Sequence, residues 1–276
     1  WDIVLLNQFH DILPGTSIGP VYDDSDADYA GLFAAMNSTE GPVQSALNTI
    51  CPPSDGQLWL VNITGQNRDG EIVELRSDAD MSGMAIRTAS GEGVLQSIVR
   101  ANGDKRCVAP VADVPALGWS AAQLGLAAHT PKNRLSVSKT HLENDLIAVR
   151  FDENSDISSI IDKTSARELI QSGKRANRLI AYEHKPKNYD AWDIDQYFEE
   201  KSWPLSDASV TIEVVETGPH RAALRIERQY ARSRIVQVIS LQDGQMQIEF
   251  DTEIDWQERQ TLLKTGFPFD LNVSET

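Results

Sequence analysis

The chain has 276 residues, with 25 Lys plus Arg against 41 Asp plus Glu, a formal net charge of −16. That excess of acid excludes DNA, RNA and anionic membrane as partners and leaves neutral or cationic ligands open. No stretch approaches the roughly 20 apolar residues of a membrane span and no basic-then-apolar leader precedes Trp1, so the expectation is a cytoplasmic protein, longer than a typical single domain and able to bury a substantial core.

In chain order, residues 1 to about 52 read as helical. In the opening WDIVLLNQFHDILPGTSIG, Leu5, Leu6, Phe9, Ile12 and Leu13 share one arc of a helix, and Asn7, Gln8 and Asp11 lie opposite. Pro14 and Gly15 are expected to end that helix, which places His10 and Asp11 in its last turn. VYDDSDADYAGLFAAM then puts Val21, Tyr29, Leu32, Phe33 and Met36 on one face, with Asp23, Asp24, Asp26 and Asp28 as an acidic, solvated start. Those aspartates lack the Gly and terminal Glu of a calcium loop. NSTEGP interrupts, VQSALNTI adds a short helix, and Pro52-Pro53 marks a boundary.

Beyond Pro53 the period changes to two. QLWLVNIT, GEIVEL, GVLQSIVR, DLIAVRFD, DISSIID, RLIAYEH, SVTIEVVETG, HRAALRIERQY, RIVQVISLQ and QMQIEFDTEIDW read as strands bounded by turn residues. FDENSDISSIID and LQDGQMQIEF have the polar centres of tight hairpins. Strands without intervening helices imply antiparallel sheets packed face to face, so the fold class is α+β: a helical-bundle segment over 1–52 followed by a large antiparallel β-sandwich over 53–276. With no initiator Met and a final strand lacking an evident partner, a piece of a longer polypeptide is expected, truncated at the C-terminus.

Cys51 and Cys107 stand without CxxC spacing, which excludes a zinc finger or redox dithiol; one disulfide stays open, with free thiols the background expectation. Sequons at Asn37, Asn62 and Asn272 carry meaning only in a secretory pathway. Asp11 is the less easily explained half of the His10-Asp11 pair. A carboxylate is disfavoured at a helix C-terminus, so a cation or a hydrogen-bond donor should face it. A neutral imidazole beside a carboxylate at the edge of an apolar surface is also what a metal site uses. In YDAWDID, Tyr189 and Trp192 offer flat apolar faces and Asp190 and Asp193 offer acceptors, the groups that bind sugars; a core Trp with turn-capping aspartates is the competing account. His129, His141, His184 and His220 have no ligand spacing among themselves and read as structural or solvated.

LLNQFHDILPGTSI followed by VYDD resembles the motif closing the catalytic region of glycoside hydrolase family 38, the zinc-dependent retaining α-mannosidases. KPKNYDAWDID resembles a signature of the bacterial and cytosolic branch, and HLENDLIAVRFDENSDISSIIDKTSARELI and TEIDWQERQTLLKTGFPFDL resemble strand pairs of the family's β domain. The resemblance implies that His10 is a ligand of a zinc ion, with cobalt as the alternative metal, and that Asp11 hydrogen-bonds mannose hydroxyls. Tyr189, Asp190, Trp192 and Asp193 would lie at the rim of the sugar site. It also implies that the nucleophile and the acid/base carboxylate of a retaining glycosidase belong to an upstream catalytic domain of the same polypeptide, so this stretch alone should be inactive. The substrate would be an oligosaccharide ending in α-linked mannose. The alternative is a non-catalytic, lectin-like β-sandwich, against which the opening helix counts. His-Asp phosphohydrolases need further His and Asp ligands on neighbouring helices, and this chain turns to strands instead.

Overall fold

The computed structural model describes residues 1–38, 41–52, 54, 56–77, 79, 81–189, 192–205 and 209–271. The chain divides into two compact units, one made of Trp1–Gln57 with Glu183–Glu200, the other of Leu58–Tyr182 with Lys201–Thr276. Among the described residues no helix is long and apolar enough to cross a membrane.

The first unit holds α1 (Asp2–Asn7), α2 (Gly19–Asn37) and α3 (Pro42–Ile50). Pro20 and Pro42 sit in the first turns of α2 and α3, where the missing N–H costs nothing. α1 is shorter than its apolar arc predicts. It ends at Asn7, whose amide donates to the Ile3 carbonyl (3.0 Å) and to Asp28 Oδ2 on α2 (3.1 Å), a local alternative to the helical ladder. Gln8 and Phe9 then bond three residues back, to Leu5 and Leu6, and turns continue to Gly15 at φ +82°. His10 and Asp11 therefore lie beyond the helix, in its trailing turns. Leu5, Leu6, Phe9 and Leu13 are all exposed, as are Phe33 and Met36 on α2.

The second unit is built of antiparallel strands. β1 (Gln57–Asn62), β2 (Glu71–Arg76), β3 (Met84–Thr88), β4 (Gly91–Val94), β5 (Gln96–Val99), β6 (Lys105–Val111) and β7 (Gly118–Leu126) form two sheets, ordered β1-β7-β3-β4 and β2-β6-β5. Ile86, Leu95, Cys107, Ala109, Val111 and Ala122 fill the core of this smaller sandwich. Pro110 sits in the middle strand of its sheet, which a proline normally forbids. It is tolerated because β5 pairs with β6 only from Lys105 to Val108, so β6 has β2 alone as neighbour at Pro110. Gly93 completes the fit, since a Cβ there would collide with the Pro110 carbonyl oxygen.

β8 (Ser136–Ser138), β9 (His141–Glu143), β10 (Ile147–Phe151), β11 (Ile157–Asp162) and β12 (Arg167–Glu168) form a five-stranded sheet. β13 (Arg178–Glu183) and β14 (Ser202–Pro204) pair with each other, and a meander follows: β15 (Ser209–Thr217), β16 (Arg221–Tyr230), β17 (Ser233–Gln242) and β18 (Ile248–Asp255). β19 (Thr261–Gly266) returns beside β13. β16 and β17 are covered on both faces, and their side chains sort by the strand period. Leu224, Ile226, Ile239 and Leu241 meet Leu142, Val149, Ile157 and Ile160 of the five-stranded sheet, while Ala223, Val236 and Val238 pack with Ala101 of the smaller sandwich.

Polar side chains join the two sandwiches. Gln96 donates through Nε2 to the Arg221 carbonyl (2.6 Å) and accepts on Oε1 from the backbone N–H groups of His220 (2.8 Å) and Arg221 (2.9 Å). Glu216 accepts from the Val99 N–H and from Arg221 Nη1, both at 3.2 Å, and Asp251 accepts from the Ala101 N–H at 2.9 Å. At the turn after β10, Arg228 is 1% exposed and donates to the Asn154 carbonyl (2.7 Å) and to Asp156 Oδ1 (3.4 Å).

Burial pushes the Asp156 carboxyl from its ordinary value of 3.8 up to about 6, against the pull of Arg228. A folded-state value above the unfolded one means that this carboxyl's contribution to stability is full below about 4 and is lost as pH rises through about 6. Replacing Asp156 by Asn removes that titration. Urea unfolding of the two proteins at a series of pH values should show the variant gaining on the wild type, by on the order of 2 kcal/mol, between pH about 4 and about 7. A pH-independent difference would refute the assignment.

Candidate active site

The loop after α1 is stapled to Asp11 by its own residues. Thr16 donates its N–H to the Asp11 carbonyl (3.1 Å) and its hydroxyl to Asp11 Oδ1 (3.3 Å). Tyr22, on the first turn of α2, donates its hydroxyl to the Asp11 carbonyl (3.3 Å) and accepts the Ser17 N–H (2.8 Å). The PGTS segment therefore folds back on the pair. The donor predicted to face the Asp11 carboxylate is thus the Thr16 hydroxyl.

His10 Nε2 lies 3.6 Å from Asp11 Oδ2, with the imidazole side chain 69% exposed and the carboxylate 29% exposed. The Phe9 ring centroid is 4.3 Å from that of His10, so one imidazole face is covered by an apolar ring. Among the described residues, no group of three or more His, Cys, Asp or Glu side chains converges as a metal shell. His10 offers one nitrogen donor and Asp11 one carboxylate. By themselves they do not make the tetrahedral set that zinc prefers.

The second predicted cluster is an exposed loop of the same unit. Tyr189 takes a left-handed backbone (φ +51°), and its carbonyl accepts the N–H groups of Trp192 (2.7 Å) and Asp193 (2.8 Å), closing a tight turn. The side chains of Tyr189 and Trp192 are 77% and 58% exposed, and Asp193 is half-buried. Asp190 lies outside the described residues. No hydrogen bond or ion pair among the described residues joins this loop to His10 or Asp11, so the structure gathers the candidates into two separate groups.

Asp195 and Tyr197 were missed by the sequence reading. Asp195 Oδ2 accepts the Lys187 N–H at 3.0 Å and the Tyr197 hydroxyl, which ties the two ends of the loop together. Those two donors, the tyrosine first, hold the Asp195 carboxyl below the usual range. The signal available was DID, an acidic pair spaced to straddle a turn; only its first member was singled out. The other histidines behave as structural or solvated residues: His220 is buried with Nε2 on the Val94 carbonyl (2.8 Å), and His141 sits between the Ser136 and Ser138 hydroxyls, each at 2.8 Å. Cys51 and Cys107 are both free and buried.

Residues 1–50 match the family model of the α-mannosidase middle domain, and residues 142–276 match that of the glycosyl hydrolases family 38 C-terminal domain. The chain belongs to glycoside hydrolase family 38. Among its relatives, α-mannosidase 2C1 of Homo sapiens is 26% identical over 283 residues, covering 100% of this chain and 25% of that protein. α-Mannosidase G of Dictyostelium discoideum is 25% identical over 295 residues, covering 96% of this chain and 27% of that protein. The chain thus spans about a quarter of the length of these curated relatives. The crystal structure of an α-mannosidase from Enterococcus faecalis V583 superimposes with a TM-score of 0.62 at 15% identity, over 97% of this chain and 38% of that one. That likeness establishes that the family 38 chain shares its fold.

If Tyr22 holds the turn that presents Asp11, Tyr22→Phe should cost about 0.5–1.5 kcal/mol of stability and accelerate amide exchange at Ser17, whose N–H loses its acceptor. Unchanged exchange at Ser17 would show that the hydroxyl does not organise the loop.

Proposed function

We propose that this chain forms the helical and β portion of a retaining, zinc-dependent α-mannosidase that removes terminal α-linked mannose from oligosaccharides. One observation carries the reading. Within the stretch that matches the α-mannosidase middle domain, the His10 imidazole stands largely exposed beside Asp11, held on turns rather than in a helix and free to meet groups from elsewhere.

In this reading His10 is one ligand of a metal centre, zinc with cobalt as the alternative, whose remaining donors lie outside this chain. A metal held there would bind vicinal hydroxyls of the mannose. Asp11 accepts hydrogen bonds from sugar hydroxyls, and an ionised carboxylate can accept several such bonds at once. Tyr189 and Trp192 supply apolar faces for the C–H side of a sugar ring, with Asp190 and Asp193 as acceptors at the rim. Neither half of the carboxylate pair that a retaining glycosidase needs is assigned to this chain, so residues 1–276 alone are inactive. Residues 1–52 would belong to a helical bundle completed by the rest of the polypeptide, and 53–276 to a β domain. The exposed apolar side chains of α1 and α2 support that arrangement.

The test compares the complete protein with residues 1–276 on a chromogenic α-mannoside. The complete protein should hydrolyse it with retention and lose activity on chelation, and residues 1–276 should show none. Asp11→Asn in the complete protein should lower kcat/KM by about 10- to 100-fold, as expected when a charged acceptor to substrate is removed. Saturable sugar binding without any hydrolysis by the complete protein would replace this reading with that of a lectin-like module.

A further inference from the structure

The main-chain carbonyl of Asp11 has more donors than it can serve. The Thr16 N–H reaches it at 3.1 Å, the Tyr22 hydroxyl at 3.3 Å and the Thr16 hydroxyl also at 3.3 Å. A carbonyl oxygen has two lone pairs, so one of these donors must turn elsewhere. The Thr16 N–H is fixed by the backbone. The Tyr22 oxygen already accepts the Ser17 N–H (2.8 Å), and its single proton has the Asp11 carbonyl as its acceptor among the described residues. The Thr16 hydroxyl alone has a choice, because Asp11 Oδ1 lies at the same 3.3 Å. An ionised carboxylate is the stronger acceptor, so with the carbonyl filled the Thr16 proton goes to Oδ1.

That bond decides how the carboxylate is presented. Thr16 is β-branched and half-buried, and its own N–H is tied to Asp11, so its hydroxyl has little freedom to swing away. With Oδ1 engaged, Oδ2 stands 3.6 Å from His10 Nε2, beyond hydrogen-bond length, and has no donor among the described residues. The Asp11 side chain is 29% exposed, so an acceptor oxygen is left open on the His10 side of the turn.

We propose that Thr16 is a positioning residue for Asp11: its hydroxyl, steered to Oδ1 because Tyr22 occupies the Asp11 carbonyl, sets the rotamer in which Oδ2 meets hydroxyls of the sugar. The inference rests on the reading of Asp11 as an acceptor for mannose hydroxyls. Thr16 acts through Asp11 and not on the sugar. Tyr22 acts one step further back, by filling the lone pair that would otherwise compete for the Thr16 proton. The two side chains are therefore coupled although the structure records no bond between them, and their effects on the sugar site should not add.

The test uses the complete protein, with kcat/KM on a chromogenic α-mannoside and the Kd for D-mannose as separate readouts. Thr16→Val, which keeps the shape and removes the donor, should lower kcat/KM and weaken mannose binding by about fivefold or more, with metal content unchanged. Thr16→Ser should stay within about twofold of the wild type. Amide exchange at Ser17 should stay slow in Thr16→Val, because Tyr22 still holds that N–H. In a Tyr22→Phe background, adding Thr16→Val should bring less than about a further twofold loss. Wild-type kcat/KM and Kd in Thr16→Val, loss in Thr16→Ser equal to that in Thr16→Val, faster exchange at Ser17 in Thr16→Val, or additive effects of Thr16→Val and Tyr22→Phe would each overturn the proposal. Wild-type protein that binds mannose without hydrolysing any mannoside refutes the mannosidase reading and leaves Thr16 to be judged on Kd; wild-type protein that does neither overturns both.

Discussion

The Glu216–Arg221 pair, gripped by Gln96, is the constraint on which the β structure turns. A guanidinium cannot shed its proton, so Arg221, at 2% exposure, commits its surroundings to supplying acceptors: Glu216, Ser240 and, further off, Glu249. Glu216 in turn needs the Val99 N–H, and Gln96 needs the backbone of His220 and Arg221. Each of those bonds joins the smaller sandwich to the meander. Removing one member would strand a buried charge, which costs several times what the pair itself contributes. The relative placement of the two sandwiches is thereby tied to polar groups that tolerate one geometry, while the apolar contacts around Ala101, Ala223 and Val236 supply bulk attraction without direction.

The helical unit follows the opposite logic. Its best-placed polar contact, Asn7 between Ile3 and Asp28, stops α1 early and joins it to α2. Residues 8–15 form turns, and these leave an imidazole exposed with a carboxylate close by. A continuous helix to Pro14 would have spent the same backbone on its own ladder. Leu5, Leu6, Phe9 and Leu13, the apolar arc that the sequence pattern assigns to one helix face, stand exposed.

Much of the β architecture was legible because alternation survives wherever one face is buried. The hairpins around Asp152–Asp156 and Asp243–Gly244 follow from their turn residues, and the antiparallel pairing follows from the absence of intervening helices. Two of the strands that escaped notice break a rule for a local reason. β6 contains Pro110, tolerated where β5 has already ended; β7 is rich in Ala and Gly, which carry little strand preference. β16 and β17 were legible as strands, but their burial on both faces depends on which sheets pack there, and no local pattern encodes that. The end of α1 was misread because the amphipathic arc continues to Leu13 while a single asparagine side chain, acting on a residue 21 positions away, interrupts the ladder. At the site, the His10-Asp11 pair and the Tyr189–Trp192 aromatics were legible from residue type. Asp195 was not, because its role depends on a main-chain N–H at Lys187 that only the folded loop brings near.

Whether the His10 imidazole is a metal ligand decides the proposed chemistry. X-ray absorption at the zinc edge of the complete protein, compared with its His10→Ala variant, tests it most directly. The imidazole scattering of the metal shell should fall by one ligand in the variant, or the metal should be lost altogether. A fully occupied metal with an unchanged imidazole shell would contradict it.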